Sequence, residues 1–314
     1  MADSVQAESR EGVLAAITAY TIWGFLPVYL IFTIAVPATE LLMHRIVWSV
    51  PFGALIITAR SQWPQVREAL TRPRRLGWLA LAAFFIAVNW LVYILAVQNQ
   101  QIFQASLGYY INPLVYVLVG VVFFGETLRV LQLFAVLLAA AGVLVLTFSG
   151  GEFPWVSLVL AISFTIYGVI RKQISVGAMP GLFVETVLLL PIALGGLAWL
   201  TLQDSAVYVD AGPGLLTLIV IAGPLTVVPL LCFAIGARLL RLSTIGFLQF
   251  IGPTLQFIVG WYYGETLTPA RAICFALIWT AVIVFCADSL RARRASSPRR
   301  HTASGQQGGA EQKI

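Results

Sequence analysis

Glu40, His44 and Arg45 place three ionisable side chains within six consecutive residues of an apolar run. A charge at the centre of a membrane helix costs about 2.5–3.5 kcal/mol on insertion scales, so such groups must be paired or wetted. Glu40 and His44 stand four residues apart and share one helical face, which continues to Trp48. Arg45 is turned by about 100° from His44, and its long side chain reaches toward a neighbouring helix. Two chemistries fit this spacing. One is an anion-accepting or substrate-orienting group on a central cavity; the other is a buried ion pair that fixes helix packing. Glu185 lies in another apolar run that contains no base. Left unpaired it is a candidate proton carrier, and Arg45 or Lys172 is the alternative that neutralises it.

Amides and aromatic rings supply a second set. Asn89, Trp90 and Tyr93 lie within about one helical turn, a combination that suits an amphiphilic organic ligand or an interhelical hydrogen bond. Asn112, Tyr116 and Gly120 recur at four-residue spacing, as do Gly252, Gln256, Gly260 and Gly264. Small residues at such spacing let helices approach closely. The polar members Asn112 and Gln256, with Tyr109, Tyr110 and Gln249 nearby, are candidate cavity residues, and Trp23 joins them by its depth in the first run. Pro113 and Pro253 are expected to kink or interrupt their helices at equivalent points, as paired broken helices do around transporter sites. Gln98 to Gln104 read as a solvated turn, with a gate as the alternative.

The elements that must position these residues are membrane spans. Of 314 residues, AVILMFWYC account for 60% and DEKR for only 10%, too few charges to build a water-facing surface. A spanning helix needs about 20 apolar residues, and the runs give ten: 12–34, 37–59, 76–98, 105–124, 128–149, 154–171, 179–201, 214–237, 243–263 and 268–287. The runs are continuous rather than alternating, which excludes a transmembrane β-barrel. The expected fold is therefore all-α and integral to the membrane. Two His, His44 and His301, leave no His-based metal site, and the absence of a G-x-x-x-x-G-K-[ST] sequence leaves no P-loop, so no cofactor is expected. Cys232, Cys274 and Cys286 lie in apolar runs and read as reduced, buried thiols.

Seventeen of the nineteen Lys and Arg fall on one side of these spans; Arg271 alone falls on the other, and Arg45 lies within a span. The rule that basic loops stay inside then predicts cytoplasmic termini. The net charge of +6 reflects this segregation and a basic tail that reads as a disordered lipid anchor, not nucleic-acid binding.

The two halves echo each other. Thr21-Ile22-Trp23-Gly24 corresponds to Thr165-Ile166-Tyr167-Gly168, Glu40 to Glu185, Pro113 to Pro253, and Gly125-Glu126-Thr127-Leu128 recurs verbatim as Gly264-Glu265-Thr266-Leu267. Each copy holds five spans. Five is odd, so the second copy enters the membrane inverted, which is the architecture of alternating-access carriers with a site between the halves. The predicted organisation is a segment 1–11, a first repeat 12–149, a second repeat 150–287 and a disordered basic tail 288–314. Gly-Glu-Thr-Leu reads as a turn in which Gly ends one helix and Thr127 or Thr268 caps the next, with no transport role for Glu126 or Glu265.

Through the paired Gly-Glu-Thr-Leu turns, Glu40-Leu-Leu-Met-His44-Arg45, Asn89-Trp90, Ile111-Asn112-Pro113 and Gly246 to Pro253, the sequence resembles the EamA family of the drug/metabolite transporter superfamily, RarD type. The resemblance spans roughly residues 12–287. It implies ten helices in two EamA repeats and export of small metabolites or drugs across the inner membrane. The expected partners are a small-molecule substrate and the lipid bilayer, with proton or other ion coupling and no nucleic acid. A polytopic enzyme acting on a lipid-linked substrate, or an ion channel, are the alternative readings. Scattered carboxylates and the lack of a Cys-His constellation argue against the enzyme.

Overall fold

The computed structural model describes residues 10–125, 127, 129–240, 244–245 and 248–296. Among them, eleven helices have defined bounds and no strand occurs. They are α1 (Arg10–Phe32), α2 (Ala38–Ala59), α3 (Trp63–Thr71), α4 (Pro73–Gln98), α5 (Ile102–Phe124), α6 (Val130–Gly150), α7 (Trp155–Gln173), α8 (Ala178–Leu202), α9 (Pro213–Leu239), α10 (Ile251–Tyr262) and α11 (Pro269–Ser296). Eight of them are long and apolar enough to cross a membrane: α1, α2, α4, α6, α7, α8, α9 and α11. The protein is an all-α, multi-pass membrane bundle.

Lipid explains both the helices and their surfaces. Without water to satisfy backbone groups, a spanning segment must bond to itself, so helices persist even through interior prolines when neighbours cover the freed carbonyls. Pro27, Pro51, Pro191, Pro224 and Pro229 all sit inside continuous helices. Large apolar side chains point outward, with Phe148 81% and Ile192 72% exposed, while Glu40, Arg45, Asn89 and Glu185 are buried. This polar-in, apolar-out arrangement is the one a hydrocarbon solvent selects.

Helix starts and stops follow local chemistry. Pro73, Pro213 and Pro269 open α4, α9 and α11, where a missing N–H costs nothing. Gly125 and Gly264 adopt φ of 65° and 92° after α5 and α10, the left-handed stop expected of the two Gly-Glu-Thr-Leu turns. Thr268 accepts the Arg271 amide at 3.3 Å, capping α11 as expected. Thr127 does not cap α6; Arg129 occupies that position, and its N–H donates to Gln132 Oε1 at 3.1 Å.

Several expectations need correction. The loop after α2 contains α3, a short helix that buries Val66 and Ala69 and leaves its one basic residue, Arg67, exposed. Its span is too short to cross a membrane. Pro113 does not interrupt α5, which runs unbroken from Ile102 to Phe124. Pro253 instead lies in the first turn of α10, behind a turn at Gln249 and Phe250, so the two prolines are not equivalent breaks. Asp288 to Ser296 continue α11, so the proposed disordered tail does not begin at 288. The rest of the tail, residues 1–9 and Glu126 lie outside the described residues. The three cysteines are free; Cys274 is buried, and Cys232 and Cys286 are half-buried.

α2 packs against both α8 and α9, α4 and α5 pack on α7, α1 packs on α9 and α10, and α6 pairs with α11 along the edge. Two close approaches fix the middle. A Cβ on Gly223 of α9 would collide with the Trp48 carbonyl of α2, and one on Gly108 of α5 would lie 2.8 Å from the Ser157 carbonyl of α7.

Candidate functional site

Arg45 is carried inward by the second turn of α2 to a point where helices from both ends of the chain meet. Its Nε donates to Thr226 Oγ1 near the middle of α9 at 2.7 Å, and that hydroxyl donates on to the Ala222 carbonyl at 2.8 Å. The guanidinium lies 4.5 Å from the centroid of the Trp90 ring in α4, a cation–π contact. Tyr29, Tyr93 and Tyr109, from α1, α4 and α5, lie within electrostatic reach of it. Arg45 is 7% exposed, and among the described residues no carboxylate forms an ion pair with it.

The surrounding groups are held by one another. Asn89 Nδ2 donates to the Leu160 carbonyl and to Ser163 Oγ of α7, both at 3.0 Å. Tyr109 donates to Asn89 Oδ1 at 3.2 Å, and Tyr29 donates to the Leu218 carbonyl at 3.0 Å. The Tyr93 hydroxyl is buried without a hydrogen-bond partner, its ring 5.9 Å from that of Tyr109. Beside Arg45 a cavity of about 10 Å³, bounded by Tyr29, Leu41, Ile94 and Thr226, has room for a single water. The cluster is tightly packed, with no opening beside Arg45 wide enough for an organic solute.

Glu40 and His44 form a different centre. Glu40 is fully buried in the first turn of α2 and accepts the Val207 and Tyr208 amides at 3.1 and 2.9 Å. His44 Nε2 lies 3.9 Å from Glu40 Oε1 and has no hydrogen-bond partner. Its ring meets Tyr208 edge-on at 4.7 Å. Both rings line an apolar cavity of about 370 Å³ between α2, α8 and α9, with Trp48 and Leu197. Adjacency in sequence therefore does not join His44 to Arg45, because one residue of helix turns them toward different neighbours.

Glu185 is not unpaired. Arg171, the neighbour of Lys172, approaches its Oε1 at 3.4 Å, and Tyr167 donates to Oε2 at 3.2 Å. The remaining expected residues are dispersed. Trp23 packs with Tyr20 and Phe233, and its carbonyl accepts Gln256 Nε2 at 3.1 Å. Tyr110 bonds to Thr254 at 2.6 Å and packs among Phe250, Phe275 and Trp279. Asn112 faces Thr165 at 3.4 Å, and Gln249 is half-buried in the turn before α10. The glutamines near α5 are not merely solvated: Gln98 donates to the Val36 carbonyl at 2.8 Å, and Gln104 is buried.

Sequence reasoning missed three contributors. Thr226 carries no signal in an apolar run, and Tyr29 is distinguished only by its contact across the bundle. Glu265 reads in the sequence as part of a turn, yet its two carboxylate oxygens accept the Ile102 and Phe103 amides at the start of α5. An acid there complements the four unpaired amides of a helix N-terminus. Burial pushes the Glu265 carboxyl above its ordinary range, while these amides pull it back. Nearby, Arg271 forms a bidentate pair with Glu152 at 2.9 Å.

Comparison with known proteins agrees with this architecture. The pattern of the EamA-like transporter family matches residues 10–148. Protein RarD of Salmonella typhi is 43% identical, over 91% of this chain and 98% of its own length. Protein RarD of Escherichia coli K12 is 42% identical, over 92% and 98%. The chloramphenicol-sensitive protein RarD of Pseudomonas aeruginosa is 34% identical, over 93% and 98%. A protein crystal structure at 23% identity superposes with a TM-score of 0.60 over 93% of this chain and 99% of that one, a likeness of fold. A buried polar and aromatic centre inside a multi-pass bundle, on a chain matched nearly end to end by these relatives, leads to one assignment: the chain belongs to the EamA-like transporter family, RarD type, and is a transporter.

Proposed function

We propose that this protein exports small organic solutes across the inner membrane by alternating access, with both termini cytoplasmic. Its two units are 12–149 and 150–287, one inverted on the other, and they rock about the Arg45, Asn89, Trp90, Tyr93 and Tyr109 centre. The observation that carries the reading is the way the helices pair. Counting spans in order, α7 to α11 correspond to α1, α2, α4, α5 and α6. α1 packs on α9 and α10, and α7 packs on their counterparts α4 and α5. α2 meets its own counterpart α8, α5 meets α10, and α6 meets α11. Exchange of partners between two copies is what a two-fold axis in the membrane plane requires.

Energy comes from an ion gradient or solute exchange, with Glu185 or Glu40 as the proton-carrying group. Purified protein in liposomes tests the proposal: saturable counterflow of labelled solute supports a carrier. Ohmic conductance would instead identify a channel, and product formation an enzyme.

A further inference from the structure

We infer that the Arg45 centre binds the carboxylate of an organic anion with a flat or apolar body. This inference rests on the carrier reading above and names the substrate class of that site. Arg45 is the only Arg or Lys among the buried described residues, and its bonded Nε leaves the outer edge of the guanidinium without an acid partner. A guanidinium presents parallel donors that match a carboxylate, and burial makes an unneutralised charge costly. The Trp90 ring offsets part of that cost but supplies no acceptor. The Tyr93 hydroxyl is the second observation. It is 3% exposed, has no partner, and lies within electrostatic reach of the same guanidinium. An anion entering beside Arg45 would neutralise the base and accept that hydroxyl.

The size of the charge is also specified. A lone guanidinium, with no second buried Arg or Lys among the described residues, matches a single negative charge better than a phosphate dianion. Trp90, Tyr93 and Tyr109 come from two helices and offer ring faces for a planar or apolar body. The cavity beside Arg45 holds about one water, so the anion enters only after the helices around Arg45 separate.

Thermal unfolding of the detergent-purified full chain provides the test. Phenylacetate and indole-3-acetate are compared with phenylacetamide, phenethylammonium and phenyl phosphate. The carboxylates should raise the wild-type unfolding temperature in a saturable way, and the amide and ammonium should not. Phenyl phosphate should act more weakly than phenylacetate. R45Q should weaken apparent carboxylate affinity about tenfold or more, and R45K should restore part of it. Y93F removes a hydroxyl that holds no structural bond, so it should leave the ligand-free unfolding temperature unchanged while weakening carboxylate affinity several-fold. This variant serves even if R45Q fails to fold. Equal action of the carboxylate and its amide, or no carboxylate response in wild-type protein, overturns the inference. So do wild-type affinity in Y93F and stronger action of phenyl phosphate. Carboxylate binding without counterflow would sink the carrier reading alone.

Discussion

At the scale of single residues, two buried carboxylates in this protein are answered by backbone rather than by side chains. Glu40 and Glu265 each hold two amides. Hydrogen bonds to a charged group contribute about 1.5–3 kcal/mol each, and losing them strands buried N–H donors. Glu265→Ala should therefore lower stability by about 2–4 kcal/mol in denaturant titrations in detergent. Glu265→Gln keeps an acceptor and should cost less. The pH profile separates acceptor from charge. The Glu265 carboxyl titrates above its ordinary 4.5 in the folded chain, so the folded state holds the proton more tightly. The stability tied to that proton is complete below the ordinary value and is lost as pH rises through the folded one. Glu265→Gln should flatten that step, and an unchanged profile would refute the assignment. This residue was legible only as part of a turn, because its partners lie more than 160 positions away.

At the scale of elements, the centre depends on how closely α2 and α9 cross. Gly223 has the Trp48 carbonyl where a Cβ would be, and a backbone carbonyl cannot rotate aside. Gly223→Ala should push the helices apart, lengthen the Arg45–Thr226 hydrogen bond, and cost about 1–3 kcal/mol as overpacking. Unfolding assays check the cost. If carboxylate binding and stability both match wild type, the crossing does not position Arg45. The span pattern was readable because lipid demands long apolar runs, and most edges fall within three residues of their expected positions. The exceptions also have physical causes. α3 is amphipathic and too short to appear as a span, and the turn at Gln249 to Phe250 interrupts the ninth run before Ile251 in a way hydropathy does not register. Pro113 failed as a break because neighbouring helices sustain α5 through it.

At the scale of the whole molecule, inversion and coupling are the claims to test. Thr127 and Leu267 are both exposed, one in each Gly-Glu-Thr-Leu turn. In a background lacking Cys232, Cys274 and Cys286, Thr127→Cys should react with a membrane-impermeant maleimide only from the cytoplasmic side, and Leu267→Cys only from outside. Labelling of both from one side would end the inverted-repeat proposal. If Glu185 carries the coupled proton, Glu185→Gln should flatten the pH dependence of counterflow while Glu40→Gln leaves it intact. Glu185 pairs with a side chain that can move away, whereas Glu40 is clasped by backbone amides. Flux that keeps its full pH dependence in both variants removes proton coupling through these carboxyls.

Composition and pattern alone determined that this chain lives in a membrane, roughly where it crosses, and that Glu40, His44, Arg45 and Glu185 are the costly residues there. Those conclusions follow from local energetics, since each residue must meet lipid or find cover. Which cover it finds is a matter of long-range packing. Only the folded bundle turned His44 toward Tyr208 and Arg45 toward Thr226 and Trp90. Only the bundle gave Glu185 its arginine and left Arg45 without an acid among the described residues. A helix period separates neighbours by about 100°, and the element that fills each direction comes from distant parts of the chain.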